Sequence, residues 1–192
     1  GSPLLVTGPG TGLGVAGLLP SSSGPMVIEG EGGHVSFAPR DEGERNIFAV
    51  LAAEFGHVSA ERVVSGPGLE AIYKTSNDAR LAAPEIGDGA LAGDNKCVKA
   101  VNLMLKSFAT VVANAALSFG AGSGIVIAGG VVPRLRDLLD QSGFYERLED
   151  HGRRSEFLAK LPIYLAIDRF AGLRGAAIAS CSSQLQNRII RY

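Results

Sequence analysis

An open, glycine-rich segment at residues 30–34 carries two ionisable side chains, Glu31 and His34, three positions apart. The other members of the segment are glycines, so little bulk shields either group. A carboxylate and an imidazole in this arrangement suit a polyhydroxyl ligand, because every sugar hydroxyl both donates and accepts a hydrogen bond. The alternative is a structural loop in which His34 bonds a backbone carbonyl, and the spacing alone leaves both interpretations open.

A third ionisable candidate, Glu61, lies in the segment 57–68, just ahead of the apolar pair Val63 and Val64 and a Gly-Pro-Gly turn. A solvated carboxylate at a helix end is the alternative for this residue.

Two glycine-rich turns are candidates for phosphate binding. Residues 8–14 contain four glycines between two predicted strands, and glycines allow backbone N–H groups to approach an anion. They form neither a Walker A loop, since no Gly-Lys-Ser/Thr follows, nor a dinucleotide fingerprint, since the spacing differs and no helix follows. Gly129 and Gly130 end a buried strand ahead of a helix, where open α/β sheets commonly bind nucleotide or phosphate. A tight hairpin and a plain strand-to-helix turn are the respective alternatives.

Composition excludes several classes of protein. The chain has 192 residues and a formal net charge of -1, which argues against a nucleic-acid surface and against electrostatic attachment to a membrane. No window approaches ~18 uninterrupted apolar residues, so we expect no membrane span. Cys97 and Cys181 are the only cysteines. Neither belongs to a C-x-x-C pair, so we expect space-filling thiols in a reduced, cytoplasmic setting and no metal site.

The elements that must position these residues follow from apolar periodicity. Short buried runs predict strands at residues 3–7, 15–19, 26–29, 124–128 and 162–167. Helical spacing predicts helices at residues 44–55, 66–73, 96–119, 133–139, 144–148 and 173–182. The proline and glycines of residues 76–95 predict irregular structure there. Three strands joined by tight turns indicate an antiparallel meander, and later strands separated by helices indicate parallel crossovers, so we predict one α/β domain over residues 1–192.

Four of these segments together resemble the bacterial glucokinase family of the actin-like ATPase superfamily. They are residues 7–14 (TGPGTGLG), 30–39 (GEGGHVSFAP), 59–68 (SAERVVSGPG) and 128–134 (AGGVVPR). The resemblance extends from Leu4 to about residue 179. It implies a ribonuclease H-like domain with a mixed sheet in βββαβαβα order, which agrees with the order of the predicted elements.

The resemblance also implies roles for particular residues. It matches three positions to D-glucose-binding residues: Glu31, His34 and Glu61. It matches four positions to the ATP site: Thr11 and Gly12 facing the phosphates, and Gly129 and Gly130 against the adenosine. Mg²⁺ would enter with ATP, held mainly by phosphate oxygens and water.

The same resemblance implies that half of the enzyme lies outside this sequence. Family members have two lobes, and the first carries an early phosphate loop and an Asn-Asp pair whose Asp is the general base. Neither precedes Leu4, so the chain is similar to the C-terminal large lobe alone, with no catalytic residue of its own and little expected activity. Asn77-Asp78 follows the Glu61 segment, and we expect Asp78 to be a turn residue. Gly1-Ser2 is interpreted as an addition to a chain that begins mid-protein, and residues 172–192 as a helix that packs on the missing N-terminal lobe.

Two other interpretations use the same residues. A sugar-sensing domain of a bifunctional or regulatory protein would bind glucose through the same three side chains. A purely structural or homodimerisation domain would not need these side chains. Members of the family that the sequence resembles often dimerise through this lobe. The cysteine-rich zinc motif of a related repressor and kinase family is not found beside His34, which argues against that branch.

Overall fold

A computed structural model describes residues 1–22, 24–168 and 170–181 of the chain. Within them one five-stranded sheet has the order β3-β2-β1-β4-β5. Its strands are β1 (Leu4–Pro9), β2 (Leu13–Leu19), β3 (Met26–Gly30), β4 (Ile125–Ile127) and β5 (Ile163–Leu165). β1, β2 and β3 pair antiparallel, while β4 joins β1 and β5 joins β4 in parallel. The predicted meander followed by parallel crossovers is confirmed.

Helices cover the sheet and fill the connections between strands. They are α1 (Glu42–Phe55), α2 (Ala60–Val63), α3 (Gly66–Asn77), α4 (Ala83–Leu91), α5 (Asn95–Phe119), α6 (Phe144–Glu149), α7 (Ser155–Ala159) and α8 (Ala171–Cys181). Among the described residues, 3₁₀ helices lie at Gly32–His34, Pro133–Leu138 and Gly152–Arg154. The helix predicted at residues 133–139 is therefore present as a 3₁₀ helix, whereas α2 and α7 were not predicted.

The prediction of irregular structure for residues 76–95 is wrong, because α4 lies within this segment. Pro84 occupies the first turn of α4, where a missing N–H costs little. Glu85 Oε2 accepts a hydrogen bond from the Ala82 amide at 3.0 Å and so caps the helix. Gly89 lies against Cys97 of α5, where an added Cβ would come within 2.7 Å of Sγ. The glycine therefore allows two helices to approach closely rather than interrupting α4.

The core is built around α5, which has thirteen buried residues along its length. Phe108 and Met104 of this helix are completely buried. Within the described residues α5 alone is long and apolar enough to cross a membrane, but 67% of the relevant window is buried inside the domain. Such burial is that of a core helix, and the burial of Cys97 on the same helix agrees with its predicted space-filling role.

The last described helix, α8, packs loosely on the domain. None of its residues is buried, and the side chains of Leu173 and Ile178 are 71% and 72% exposed. Cys181, at the end of α8, is likewise exposed, so the predicted space-filling role is wrong for this thiol. The predicted helix at residues 173–182 is confirmed up to residue 181, and residues 182–192 of the proposed lobe-packing segment lie outside the described residues.

Candidate functional site

The three residues predicted to bind sugar come together around the imidazole of His34. Nδ1 of His34 lies 3.4 Å from Oε2 of Glu31, and Nε2 lies 3.8 Å from Oε1 of Glu61. Both distances are longer than a good hydrogen bond. The three side chains therefore keep hydrogen-bonding groups available for a ligand. The side chains of Glu31 and His34 are 90% and 63% exposed, while that of Glu61 is 33% exposed.

Glycines fix the turn that carries His34. Residues 32–34 form a single 3₁₀ turn whose preceding residue is Glu31. A Cβ on Gly33 would collide with the backbone carbonyl of Leu13, and a Cβ on Gly32 would come within 2.8 Å of Val15 Cβ. The glycines in this segment therefore let the turn lie directly on β2.

Backbone hydrogen bonds then bring Glu61 beside that turn. The Phe37 amide donates to the Val58 carbonyl, and the Ala60 amide donates to the Val35 carbonyl, each at 2.9 Å. Glu61 follows in the first turn of α2. The two segments are more than twenty residues apart in sequence, so this pairing is what forms the cluster.

Glu61 also contacts the first glycine loop. Its Oε2 accepts a hydrogen bond of 2.7 Å from the Leu13 amide. Gly12 lies so close that an added Cβ would collide with the same oxygen. The predicted phosphate-facing loop and the predicted sugar carboxylate are therefore direct neighbours.

The second glycine turn packs against the same loop from β4. The Ala128 amide donates to the Thr7 carbonyl at 2.8 Å, and the Val131 amide donates to the Pro9 carbonyl at 3.3 Å. A Cβ on Gly8 would collide with the Ala128 carbonyl. Gly129 has φ of +85°, a conformation in which glycine is favoured. Gly129 and the neighbouring Gly130 are both exposed, and no atom lies within 4 Å of a Cβ added to Gly130.

The amino end of α3 holds the other side of the loop. The Gly66 amide donates to the Gly10 carbonyl at 2.8 Å. Ser65, almost fully buried, caps the helix by accepting from the Gly68 amide at 3.1 Å. Ser65 and Leu13 were not singled out from the sequence. The Ser-Gly-Pro-Gly pattern is a helix-start signal that identifies Ser65, whereas nothing in the sequence identifies the Leu13 amide.

A cleft of about 580 Å³ opens beside the cluster, within the size range of small-molecule sites. Its walls include Thr11, His34 and Glu61, together with parts of α1 and α3. Glu31, Gly12, Gly129 and Gly130 are not among the described residues that line it. The structure thus places one predicted phosphate residue and two predicted sugar residues in a single cleft. Gly129 instead lies against Gly8 and Pro9 of the same loop.

The cleft is lined mostly by polar and charged residues. Besides the predicted residues it contains further ionisable groups from the surrounding helices and loops: Glu54, His57, Arg62, Glu70, Lys74 and Arg80. Arg62 lies over the ring of Phe55 at 3.7 Å, and Nε2 of His57 lies 3.1 Å from Ser36 Oγ. Among the described residues, no group of three His, Cys, Asp or Glu side chains is placed to hold a metal ion. The arrangement can bind and orient a hydroxylated ligand.

Asp78, which the sequence predicts to be a turn residue, lies at the end of α3. It is the residue following the helix and has a left-handed backbone with φ of 50°. The Asn77 side chain donates to the Tyr73 carbonyl at 2.9 Å. The backbone conformation of Asp78 and the hydrogen bond of Asn77 are typical of a helix terminus, in agreement with the prediction of a turn residue.

Comparisons with known proteins point in one direction. Residues 1–183 match the family model described as Glucokinase. The chain is 42% identical over 183 residues to the glucokinase of Chromobacterium violaceum, covering 92% of this chain and 53% of that protein. Among solved structures it resembles a glucokinase from an Antarctic psychrotroph, with a TM-score of 0.84 and 33% identity over 97% of this chain and 58% of that one.

A more distant structure shares the fold only. It is a ROK family glucokinase from Streptomyces griseus in complex with glucose and AMPPNP, with a TM-score of 0.65, 19% identity, and coverage of 92% of this chain and 60% of that one. These structures confirm the predicted fold class, the ribonuclease H-like domain of the actin-like ATPase superfamily. The chain spans a little over half the length of curated relatives that it matches.

Proposed function

The chain belongs to the glucokinase family, and from that premise we propose that it is the C-terminal large lobe of an ATP-dependent glucokinase. The intact protein would transfer the γ-phosphoryl group of ATP to the 6-hydroxyl of D-glucose. This lobe would supply the glucose-binding side chains and part of the ATP site.

The convergence of Glu31 and Glu61 on His34 carries the sugar half of the proposal. Two carboxylates offer several acceptor positions, and the imidazole offers one nitrogen as donor and one as acceptor. Neighbouring hydroxyls of a hexose need such an alternation of donors and acceptors. Two of the solved glucokinase structures that the chain resembles are complexes with glucose, which supports the choice of sugar.

The packing of two glycine turns supports the nucleotide half. Thr11 and Gly12 belong to the loop that joins β1 to β2, and Gly129 and Gly130 belong to the turn after β4. β1 and β4 are adjacent parallel strands, so the two turns leave the same end of the sheet, where α/β folds commonly bind nucleotides. We propose that the first pair faces the phosphates and the second lies against the adenosine, with Mg²⁺ bound through the phosphates.

The mechanism assigns positioning to this lobe and base catalysis to the other. Catalysis of phosphoryl transfer rests mainly on alignment and electrostatic stabilisation. Glu31, His34 and Glu61 would fix the hexose so that its 6-hydroxyl meets the γ-phosphate in line. The aspartate that removes the hydroxyl proton belongs to the N-terminal lobe in the family that the sequence resembles. We therefore expect little or no transfer by the 192-residue chain alone.

Two further parts of the proposal concern partners. The exposed apolar side chains of α8, Leu173 and Ile178, would be covered by the N-terminal lobe. A homodimer, which the resemblance suggests, would have to use another surface than α5, because the apolar residues of that helix lie in the core.

We propose the cytoplasm as the compartment, because the reaction consumes ATP.

An amide NMR titration of the chain with D-glucose, with galactose as the control, tests the proposal. Glucose-selective shifts at Gly32, Gly33, His34 and Glu61 are expected if this lobe holds a pre-formed sugar half-site. The titration is repeated on the chain joined to the N-terminal lobe of a family member, where ATP-dependent formation of glucose 6-phosphate is expected. Glucose binding without phosphoryl transfer in the joined protein would instead identify a sugar-sensing domain. Absence of glucose binding in both forms would refute the sugar assignment.

A further inference from the structure

We propose that Gly12 and the main-chain amide of Leu13 are positioning residues for Glu61. In this arrangement the glycine loop after β1 sets the direction from which the Glu61 carboxylate meets the sugar. The inference rests on the proposed function, since Glu61 matters for sugar only if the cleft binds one. It concerns a contact that the family resemblance did not supply.

The hydrogen bond commits one oxygen of the carboxylate. Oε2 of Glu61 accepts from the Leu13 amide at 2.7 Å, a length typical of a charge-assisted bond. Oε1 is the oxygen that faces His34, 3.8 Å from Nε2. The Leu13 amide therefore divides the carboxylate into one oxygen that is anchored and one that is free for a ligand hydroxyl.

The loop is held in place by contacts that do not involve Glu61. The Gly10 carbonyl accepts from the Gly66 amide at 2.8 Å, and the Gly10 amide donates to the Gly12 carbonyl at 2.7 Å. The Pro9 carbonyl accepts from the Val131 amide, and Leu13 itself pairs with Pro9 at the start of the β1–β2 ladder. The loop is thus a fixed reference, and the flexible carboxylate is the part that adjusts to it.

The helix that carries Glu61 cannot hold the carboxylate by itself. α2 has only four residues, and the side chain of Glu61 is one third exposed. A glutamate with free rotamers loses conformational entropy when a ligand orders it. The bond to Leu13 provides that ordering before the sugar arrives.

The space at Gly12 is what makes the bond possible. An added Cβ would collide with Oε2 of Glu61 and lie 3.1 Å from Cδ. These are the end atoms of a flexible side chain rather than backbone, so Gly12→Ala should displace the carboxylate without unfolding the loop. Gly14, the next glycine along the chain and the second residue of β2, is exposed and would place a Cβ with nothing within 4 Å. Gly14→Ala is therefore a matched control.

The first arm of the test needs no ligand. The amide proton shift of Leu13 is followed by NMR while pH is changed across the ionisation of Glu61 in the 192-residue chain. In the parent and in Gly14→Ala, the shift should track that ionisation, and in Gly12→Ala the tracking should be lost. Tracking that persists unchanged in Gly12→Ala would overturn the inference.

The second arm measures glucose affinity without nucleotide, in the chain joined to an N-terminal lobe, so that any contact of Gly12 with phosphate is irrelevant. Gly12→Ala should weaken glucose binding about tenfold or more, the effect of losing one hydrogen bond to a charged group, and Gly14→Ala should leave it unchanged.

Glu61→Asp provides a test of coupling, because the shorter side chain neither reaches the Leu13 amide nor meets the Cβ at residue 12. It should weaken binding in the parent but have little added effect in Gly12→Ala, whereas its effect should persist in Gly14→Ala. Additive effects of Gly12→Ala and Glu61→Asp would contradict the inference. A parent protein that fails to bind glucose would refute the proposed function, while the first arm would still decide whether Leu13 positions Glu61.

Discussion

Arg147 on α6 donates from Nη1 to Oε1 of Glu44 across 2.9 Å, and the Glu44 carboxylate is fully buried. The same carboxylate accepts from Ser107 of α5 and, through Oε2, from the Arg40 amide just ahead of α1. Nη2 of Arg147 donates to Asp41, which caps α1, at 2.7 Å. This network connects α1, α5 and α6 to the end of the segment that follows the His34 turn.

Arg147→Ala should lower the free energy of unfolding by about 3–5 kcal/mol, because it leaves the Glu44 charge buried without its partner. Urea unfolding of the chain measures the change. Lys160→Ala is the control, because Lys160 pairs with Glu156 at an exposed position and such pairs contribute ~0–1 kcal/mol. Equal effects of the two substitutions would show that the buried network does not stabilise the domain.

The lowered pKa of Asp41 predicts that the domain loses stability at acidic pH. Burial alone would raise the pKa of Asp41, but the hydrogen bond from the Glu44 amide and the Arg147 guanidinium together lower it below the ordinary value of 3.8. A carboxyl whose pKa is lowered by folding contributes stability that is present above its unfolded pKa and lost as pH falls through the folded pKa. Asp41→Asn should flatten the decline of stability below about pH 4, as measured by urea unfolding between pH 2 and 7. Asp137→Asn, at an exposed position, should leave the decline as steep as in the parent.

Gly129 and Gly130 should respond differently to alanine. Gly129 has φ of +85°, and its added Cβ would lie 2.5 Å from the Pro9 carbonyl oxygen. Strain of this kind costs about 1–3 kcal/mol, so Gly129→Ala should lower the thermal midpoint. Gly130→Ala adds a Cβ with nothing within 4 Å and should leave the midpoint near that of the parent. Calorimetry of both variants distinguishes them, and a stable Gly129→Ala would argue against a close contact between the two turns.

Glu31→Gln and His34→Ala should weaken glucose binding about tenfold or more each, because each removes a group that bonds sugar hydroxyls. Both side chains are largely exposed, so the thermal midpoint should not change. Titration calorimetry with glucose in the two-lobe protein measures the affinity. His57→Ala is the control, since His57 lines the cleft but contacts Ser36. If both site variants bind glucose as tightly as the parent, the cluster is a structural turn and not a sugar site.

The helix α8 should exchange its amide hydrogens quickly in the isolated chain. It has no buried residue, and helices without tertiary packing are marginal in water. Hydrogen exchange with mass spectrometry should give low protection for α8 and high protection for α5, which is buried along its length. Strong protection of α8 in a monomer, established by sedimentation, would contradict the proposal that the other lobe covers it.

Local periodicity was sufficient to predict most of the fold. The central helix α5 repeats apolar residues at helical spacing, and β1 and β4 are short apolar runs that end at glycine-rich turns, so the type of each follows from the chain alone. The prediction failed at α4, because residue type alone indicates Pro84 and Gly89 as helix breakers. Pro84 lies in a first turn, and Gly89 makes room for Cys97.

The candidate site divides in the same way. Residue types and spacing, with the resemblance they carry, identified Glu31, His34 and Glu61 as polar groups on glycine-rich segments, because such composition is visible in the sequence. Only the tertiary structure decided that the Leu13 amide anchors Glu61 and that Gly12 leaves room for it. A main-chain donor looks the same in every residue, and forty-eight positions separate Leu13 from Glu61. The contact therefore depends on how β2 and α2 pack, which no local pattern records.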